Sequence, residues 1–341
     1  MSLTPRQKQI LGLLTREFIL TAEPVSSSTL EGKLGNLCSS ATIRSEMAEL
    51  EKRGFLQRPH IASGRVPSHQ GYRYYVDHLM NKEELSLEEQ YTIKLELNKR
   101  IYQIDQLLDK TLDLISHHTK ELSILVPPNF KNIVIKDIHL ISINPYSILI
   151  VIVTTTGLVI NKIIENPTSV SESEIEVVLN FLKERLEGIT ADKIDNSILE
   201  GHDKIAGKHL LKPLVEEIKK SLFSEMERKV LWVGTQNLMS KPEFRNVDKI
   251  KTLLNMLDNH EFAELINKKE PLNEVRVTIG EEHKLKEFYD CSIITAYYRV
   301  EGEIVGTLGI LGPTRMHYGK MVPLISFIAK SFSKMLNRLN C

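Results

Sequence analysis

Ser39-Ser40-Ala41-Thr42-Ile43-Arg44-Ser45-Glu46-Met47-Ala48-Glu49-Leu50 is the stretch whose reading decides the fold. Ile43, Met47 and Leu50 recur at helical spacing and predict one buried face. Ser39 or Ser40 caps the start, and Gly54 ends the helix. The opposite face carries Ser40, Thr42, Arg44 and Ser45 close to the N-terminus. Upstream, Thr4, Pro5 and Gln7 spell a capped helix start, and Ile10, Leu11, Leu14 and Phe18 share a face. Pro24 closes that helix. Ser26 or Ser27 opens a short second helix carrying Leu30 and Leu34, stopped by Gly35, with a tight turn over Asn36 to Cys38. Two short helices joined by such a turn predict a helix-turn-helix.

Downstream the periodicity changes. Phe55 to Arg58 and Arg65 to Pro67 read as short strands around a loop with Pro59, His60 and Gly64, the outline of a wing. Gly71 to Met80 is aromatic and helical. In a winged helix-turn-helix the start of the third helix enters the major groove. Arg44 has the forked donors that pair with guanine, and the Ser and Thr hydroxyls suit bases or phosphates. Ser39 at the cap, with Arg58, His60, Arg65 and Arg73 near the wing, completes the candidate DNA-binding set; cations there neutralise phosphate and fix register. Taken singly, each of these is equally an ordinary surface charge. Tyr72, Tyr74 and Tyr75 fit sugar-phosphate contact or packing.

The zero net charge of the 341-residue chain hides an asymmetry. Residues 1–82 carry eleven Lys/Arg against seven Asp/Glu, and the remainder carries the opposite imbalance. A basic head on an acidic body suits a head that meets phosphate. The longest apolar runs, such as Ser147 to Val153, are too short to span a bilayer. Met1 to Gln9 is no secretory signal, so a cytoplasmic protein is expected. Cys38, Cys291 and Cys341 lack metal-ligand spacing and read as buried or incidental thiols.

Residues 83–122 predict a long amphipathic helix through Leu97, Ile101, Ile104, Leu108, Leu112 and Ile115. Strands follow at Ile138 to Ile143, and at Ser147 to Thr155 with Leu158 to Ile164 about a turn at Gly157. Ser171 and Glu174 cap a helix ending at Gly188. Ser292 to Val300 and Glu303 to Leu311 form a second hairpin about Gly302, before a last helix from Val322 to Leu339. Hairpins beside helices predict an α+β domain. Residues 190–273 differ, with helices around Leu210 to Leu222 and Val247 to Ile266 and one strand, Lys229 to Val233; they read as an insertion. Ser147 to Val153 and Ser292 to Tyr298 are nearly uncharged strands that would self-associate if exposed.

The text Leu3-Thr4-Pro5-Arg6-Gln7, Glu23-Pro24-Val25, Ser40-Ala41-Thr42-Ile43-Arg44, Glu46-Met47-Ala48-Glu49-Leu50-Glu51, Gly64-Arg65 and Gly71-Tyr72-Arg73-Tyr74-Tyr75-Val76-Asp77 closely resembles the HrcA family of heat-inducible transcription repressors. The resemblance continues at Gly234-Thr235, Asn237-Leu238, Pro242-Glu243-Phe244 and Gly309-Ile310-Leu311-Gly312-Pro313-Thr314-Arg315-Met316, and so covers essentially the whole chain. Ser45 stands where asparagine is common, Ile61-Ala62-Ser63 replaces a Thr-Ser-Ala run, and His283 replaces an asparagine. The resemblance implies an α+β multidomain protein. Its parts are a winged helix at 1–80, a connecting helix at 81–122, a GAF-like domain at 123–189 and 274–341, and an inserted α/β dimerisation domain at 190–273. It further implies repression of chaperone operons by a homodimer on double-stranded DNA, at an inverted-repeat operator of the CIRCE type. Release comes on heat stress, and the GroEL chaperonin maintains activity.

Catalytic readings have less to build on. Gly306, Gly309 and Gly312 lack the lysine and helix start of a phosphate loop. His117 and His118 are adjacent and diverge on a helix. No cofactor, metal or enzymatic activity is expected. A small-molecule sensor, with a ligand in the GAF-like body, is the second reading.

Overall fold

In the computed structural model the described residues are 3–34, 39–59, 64–98, 104–128, 134–155, 159–165, 170–201, 205–226, 230–266, 274–300 and 302–339. The turn at 36–38, His60, residues 61–63, Gly157, Cys38 and Cys341 lie outside them.

The chain opens with α1 (Pro5–Thr21), α2 (Ser27–Lys33) and α3 (Ser40–Lys52). Thr4 and Gln7 make the expected reciprocal cap on α1, Ser26 caps α2 and Ser39 caps α3. Ile10, Leu11, Leu14, Leu30, Ile43, Met47 and Leu50 close one core. The strands β1 (Leu56–Gln57) and β2 (Val66–Pro67) then pair antiparallel. Val25 bridges to Arg65 through two backbone bonds of 2.9 Å each. Gly64 permits this, since a Cβ there would sit 2.4 Å from the Val25 carbonyl oxygen. α4 (His69–Tyr74) runs straight into a π turn, Tyr75–Leu79. We call this N-terminal unit the head.

Two helices stand where one long helix was expected: α5 (Leu87–Leu97), ending at Asn98, and α6 (Ile104–Thr119). The apolar residues of both, Ile93 and Leu97 with Leu108, Leu112 and Ile115, belong to one core. A single straight rod over 83–122 would run roughly 60 Å and carry its ends away from a common core. Lys120 takes a left-handed φ of 54° and turns the chain into β3 (Leu122–Val126), a strand hidden in the sequence behind Pro127 and Pro128.

Next come β4 (Ile135–Asn144), β5 (Ser147–Thr154), β6 (Val159–Glu165), α7 (Glu172–Leu186) and α8 (Leu211–Met226). The three strands form their own antiparallel sheet in the order β4-β5-β6. Ile138, Leu140, Ile148, Ile150, Ile152 and Ile160 pack beneath α7 and α8 in a core separate from the rest. After these come β7 (Leu231–Val233), α9 (Thr235–Met239), α10 (Val247–Leu257) and α11 (His260–Ile266). The chain ends with β8 (Val275–Ile279), β9 (Cys291–Val300), β10 (Glu303–Pro313) and α12 (Tyr318–Leu339). The main sheet has five strands in the order β7-β3-β10-β9-β8. α5, α6 and α12 cover one face, and α10 and α11 the other.

The expected borders therefore change. The inserted unit lies between β3 and β7, over residues 134–226, not at 190–273. The span 190–273 divides: α8 joins the small sheet, while β7, α9, α10 and α11 join the main one. The reason is pairing. β3 bonds to β10 and β7, not to the β4–β5 hairpin that follows it in sequence.

Distant motifs meet at one place in this body. Asn237 donates to Ser116 Oγ at 2.9 Å, and Lys241 Nζ reaches Glu121 Oε1 at 2.8 Å. Arg315 forms a two-point pair with Glu243. Burial outweighs the nearby Lys241 and raises the Glu121 pKa to about 7. Gly309 fits the structural reading of the glycine series: a Cβ there would lie 2.0 Å from the Ile294 carbonyl oxygen on β9. Cys291 is a buried thiol whose pKa burial pushes up to about 12.

Candidate nucleic-acid interface

Ile43, Met47 and Leu50 turn inward and fix the rotation of α3, so its other side faces solvent. At its start, Ser39 Oγ accepts from Thr42 N at 3.3 Å and lies 3.0 Å from Thr42 Oγ1. Ser40 is committed to the neighbouring helix. Its backbone N–H donates to Glu31 Oε1 at 2.9 Å, and its hydroxyl to Ser27 Oγ at 3.0 Å. These bonds tie the start of α3 to α2. The sequence offers Ser26 or Ser27 only as a helix cap and gives no sign of the tie that Ser27 and Glu31 make to Ser40.

Arg44 and Ser45 are exposed, one turn into α3, and no side-chain hydrogen bond or ion pair engages either among the described residues. The first turn of α3 holds no acidic residue. An unopposed arginine and a helix N-terminus with its partial positive charge therefore share one surface. Arg58, exposed on the hairpin, sits 3.7 Å from Glu51 Oε2, a loose pair that phosphate can displace.

Two of the expected cations are placed elsewhere. Arg65 is buried, and its Nε donates to Glu51 Oε2 at 2.8 Å. This ion pair with a one-third exposed Glu51 commits the Arg65 guanidinium within the head, where a phosphate contact was expected. Arg73 points away from α3 toward the body: its Nε donates to Glu282 Oε1 at 2.6 Å and its Nη2 to the Val277 carbonyl at 2.6 Å. These bonds place it at the joint between head and body, where a DNA contact was expected. His60 lies outside the described residues. The three tyrosines are packing residues: Tyr72 against Tyr318, Tyr74 edge-on to Phe55 at 5.4 Å, and Tyr75 in the body core. Among the described residues no cluster of side chains is set to hold a metal ion.

A model of the family described as "HrcA protein C terminal domain" matches residues 105–322. A heat-inducible transcription repressor HrcA of Pelotomaculum thermopropionicum is 37% identical over 99% of this chain and 98% of its own length. The protein of that name from Carboxydothermus hydrogenoformans is 36% identical over 98% of each chain. A solved structure described as a hypothetical protein at 2.2 Å resolution superposes with a TM-score of 0.69 at 22% identity. It covers 99% of this chain and 100% of that one, so the fold is shared along the full length.

Proposed function

The chain belongs to the HrcA family of heat-inducible transcription repressors, and from that premise we propose that it reads operator DNA with the N-terminal end of α3. It is a negative regulator of heat-shock genes. The observation that carries the DNA reading is the exposed Arg44 beside Ser45 at the start of α3, with no carboxylate partner among the described residues. The order of three helices and a two-stranded hairpin supports a winged helix-turn-helix. The antiparallel main sheet, covered by helices, supports a GAF-like body. Ser39, Thr42, Arg44, Ser45 and Arg58 form the reading surface, with Ser40 holding α3 in place. The chain acts by binding, without catalysis, in the cytoplasm; no helix among the described residues is long and apolar enough to cross a membrane.

The operator is an inverted repeat, and the reader is a homodimer with one head per half-site. Support for the dimer comes from the small sheet. On its outer face Ile141, Leu149 and Ile163 align in one row, Val151 lies between His139 and Asn161 in the next, Val153 lies between Asp137 and Val159 in the third, and Ile163 is 66% exposed. The exposed apolar row Ile141–Leu149–Ile163, at the hairpin end of this face, supports an interaction surface. GroEL is the partner that restores activity after heating. β5 and β9 support that role, because both expose apolar, nearly uncharged strand when the body opens.

The test is operator binding after a mild heat pulse, with and without chaperonin, on a duplex from a chaperone-operon promoter. Binding that falls on heating and recovers further with chaperonin is expected. Full spontaneous recovery, indifferent to chaperonin, counts against that partner. Absence of any preference for the promoter duplex counts against the operator reading.

A further inference from the structure

His283 is 2% exposed, and among the described residues neither of its ring nitrogens has a hydrogen-bond partner; the Cys291 backbone approaches the ring without reaching bonding geometry. Arg276, on β8, has a buried Nη1 that is equally unpartnered. Both side chains line one cavity of about 60 Å³, beside Thr278, Thr295 and Lys284. Strand register explains the gathering: Arg276 lies directly opposite Thr295, and Thr278 opposite Ile293, on the face of the sheet that α11 covers.

Two buried polar groups left unpaired side by side are costly and call for a ligand. The cavity has room for about two waters, or one phosphate group in their place. Its charge selects between ligand types. Arg276 and Lys284 are cationic, and the one carboxylate among the described lining residues, Glu282, is already held by Arg73. We propose that this cavity is a binding site for a phosphate-sized oxyanion, gripped by the Arg276 guanidinium and the His283 ring. Arginine presents paired donors to such an anion, and an imidazole facing it becomes a second charged donor. Burial and the nearby Arg276 otherwise keep that ring neutral, with its pKa down at about 4. The anion sits next to the Glu282 carboxylate that the head grips, so binding and head attachment share one turn of chain.

The full-length protein is unfolded thermally in phosphate-free buffer with inorganic phosphate added at constant ionic strength, balanced by chloride. A saturable rise in Tm is expected with phosphate and not with chloride. Arg276→Gln and His283→Asn should each weaken the apparent phosphate affinity about tenfold or more. Glycerol phosphate, run in parallel, tells whether the ion is free or the end of a phosphomonoester; a response to either supports the site. Equal effects of phosphate and chloride would overturn the proposal, as would an undiminished phosphate response in Arg276→Gln. Should that variant not fold by far-UV circular dichroism, Thr295→Val and His283→Asn decide the matter, with ³¹P line broadening as the direct readout.

Discussion

Arg73 and Glu282 form a two-point ion pair across the joint between head and body, Nε on Oε1 at 2.6 Å and Nη2 on Oε2. Asp77 steadies the guanidinium at 3.1 Å, and Tyr72 is sealed against Tyr318 one residue away. Parallel bonds of this kind fix orientation as well as distance. Ile19, Tyr72, Tyr75 and Val76 of the head also complete the core of the body. Head and body are therefore mechanically joined, and residues 1–80 alone would expose this apolar surface.

Arg73→Ala and Glu282→Ala should each destabilise the protein by about 1–2 kcal/mol. Their effects should be strongly non-additive in a double-mutant cycle measured by urea unfolding. Arg73→Lys should restore little, because an ammonium cannot make the paired contact. Additive losses would show that the pair contributes nothing beyond its separate parts.

Arg65→Ala should act on folding rather than on DNA. Removing the buried Arg65 leaves Glu51, one-third exposed, with Arg58 as its remaining neighbour at 3.7 Å. A loss of about 1–3 kcal/mol in urea unfolding is expected from the lost charged hydrogen bond and packing. The salt dependence of DNA binding by the folded fraction should not change. A fully stable variant whose salt slope falls by about one would return Arg65 to the phosphate contacts.

Two buried groups set opposing pH dependences. Glu121 is raised from an ordinary 4.5 to about 7, so the folded state keeps a proton that the unfolded chain releases. Stability from this group is lost as pH rises through that window, by roughly 3 kcal/mol. His283 is lowered from 6.5 to about 4, so the folded state refuses a proton that the unfolded chain accepts. Its contribution rises over that window by a similar roughly 3 kcal/mol. In phosphate-free buffer, Glu121→Gln should unmask stability that climbs with pH between 4 and 6.5. His283→Asn should unmask stability that falls between 4.5 and 7. Profiles parallel to wild type in both variants would contradict the burial of these groups.

Val151→Asp or Ile163→Asp should convert a dimer to monomers in sedimentation without changing the circular dichroism spectrum. Both side chains lie on the outer face of β5 and β6, where the folded monomer has room for charge. An unaltered dimer would place the contact elsewhere.

Local signals were legible and long-range pairings were not. Thr4, Ser39 and Ser171 announce their helices because a cap is made within three residues. The β9–β10 hairpin is equally plain, turning at Gly302 with a φ of 88°. β3 hid because its partners, Val233 and Thr307 among them, lie more than a hundred residues away. The insertion was misplaced for that reason. At the site, α3 was readable from three apolar positions and a serine cap. The fates of Arg65 and Arg73 were not, since an arginine beside a wing reads the same whether Glu51, Glu282 or a phosphate meets it.

Arg44 is the side chain through which the exposed start of α3 should read operator bases. Equilibrium binding of wild type and Arg44→Ala is measured on a promoter duplex bearing the inverted repeat and on a scrambled duplex of equal length, at one salt concentration. The account predicts a loss of about 1–3 kcal/mol per reading head on the operator and almost none on the scrambled duplex. An equal loss on both, or no loss on either, would contradict it.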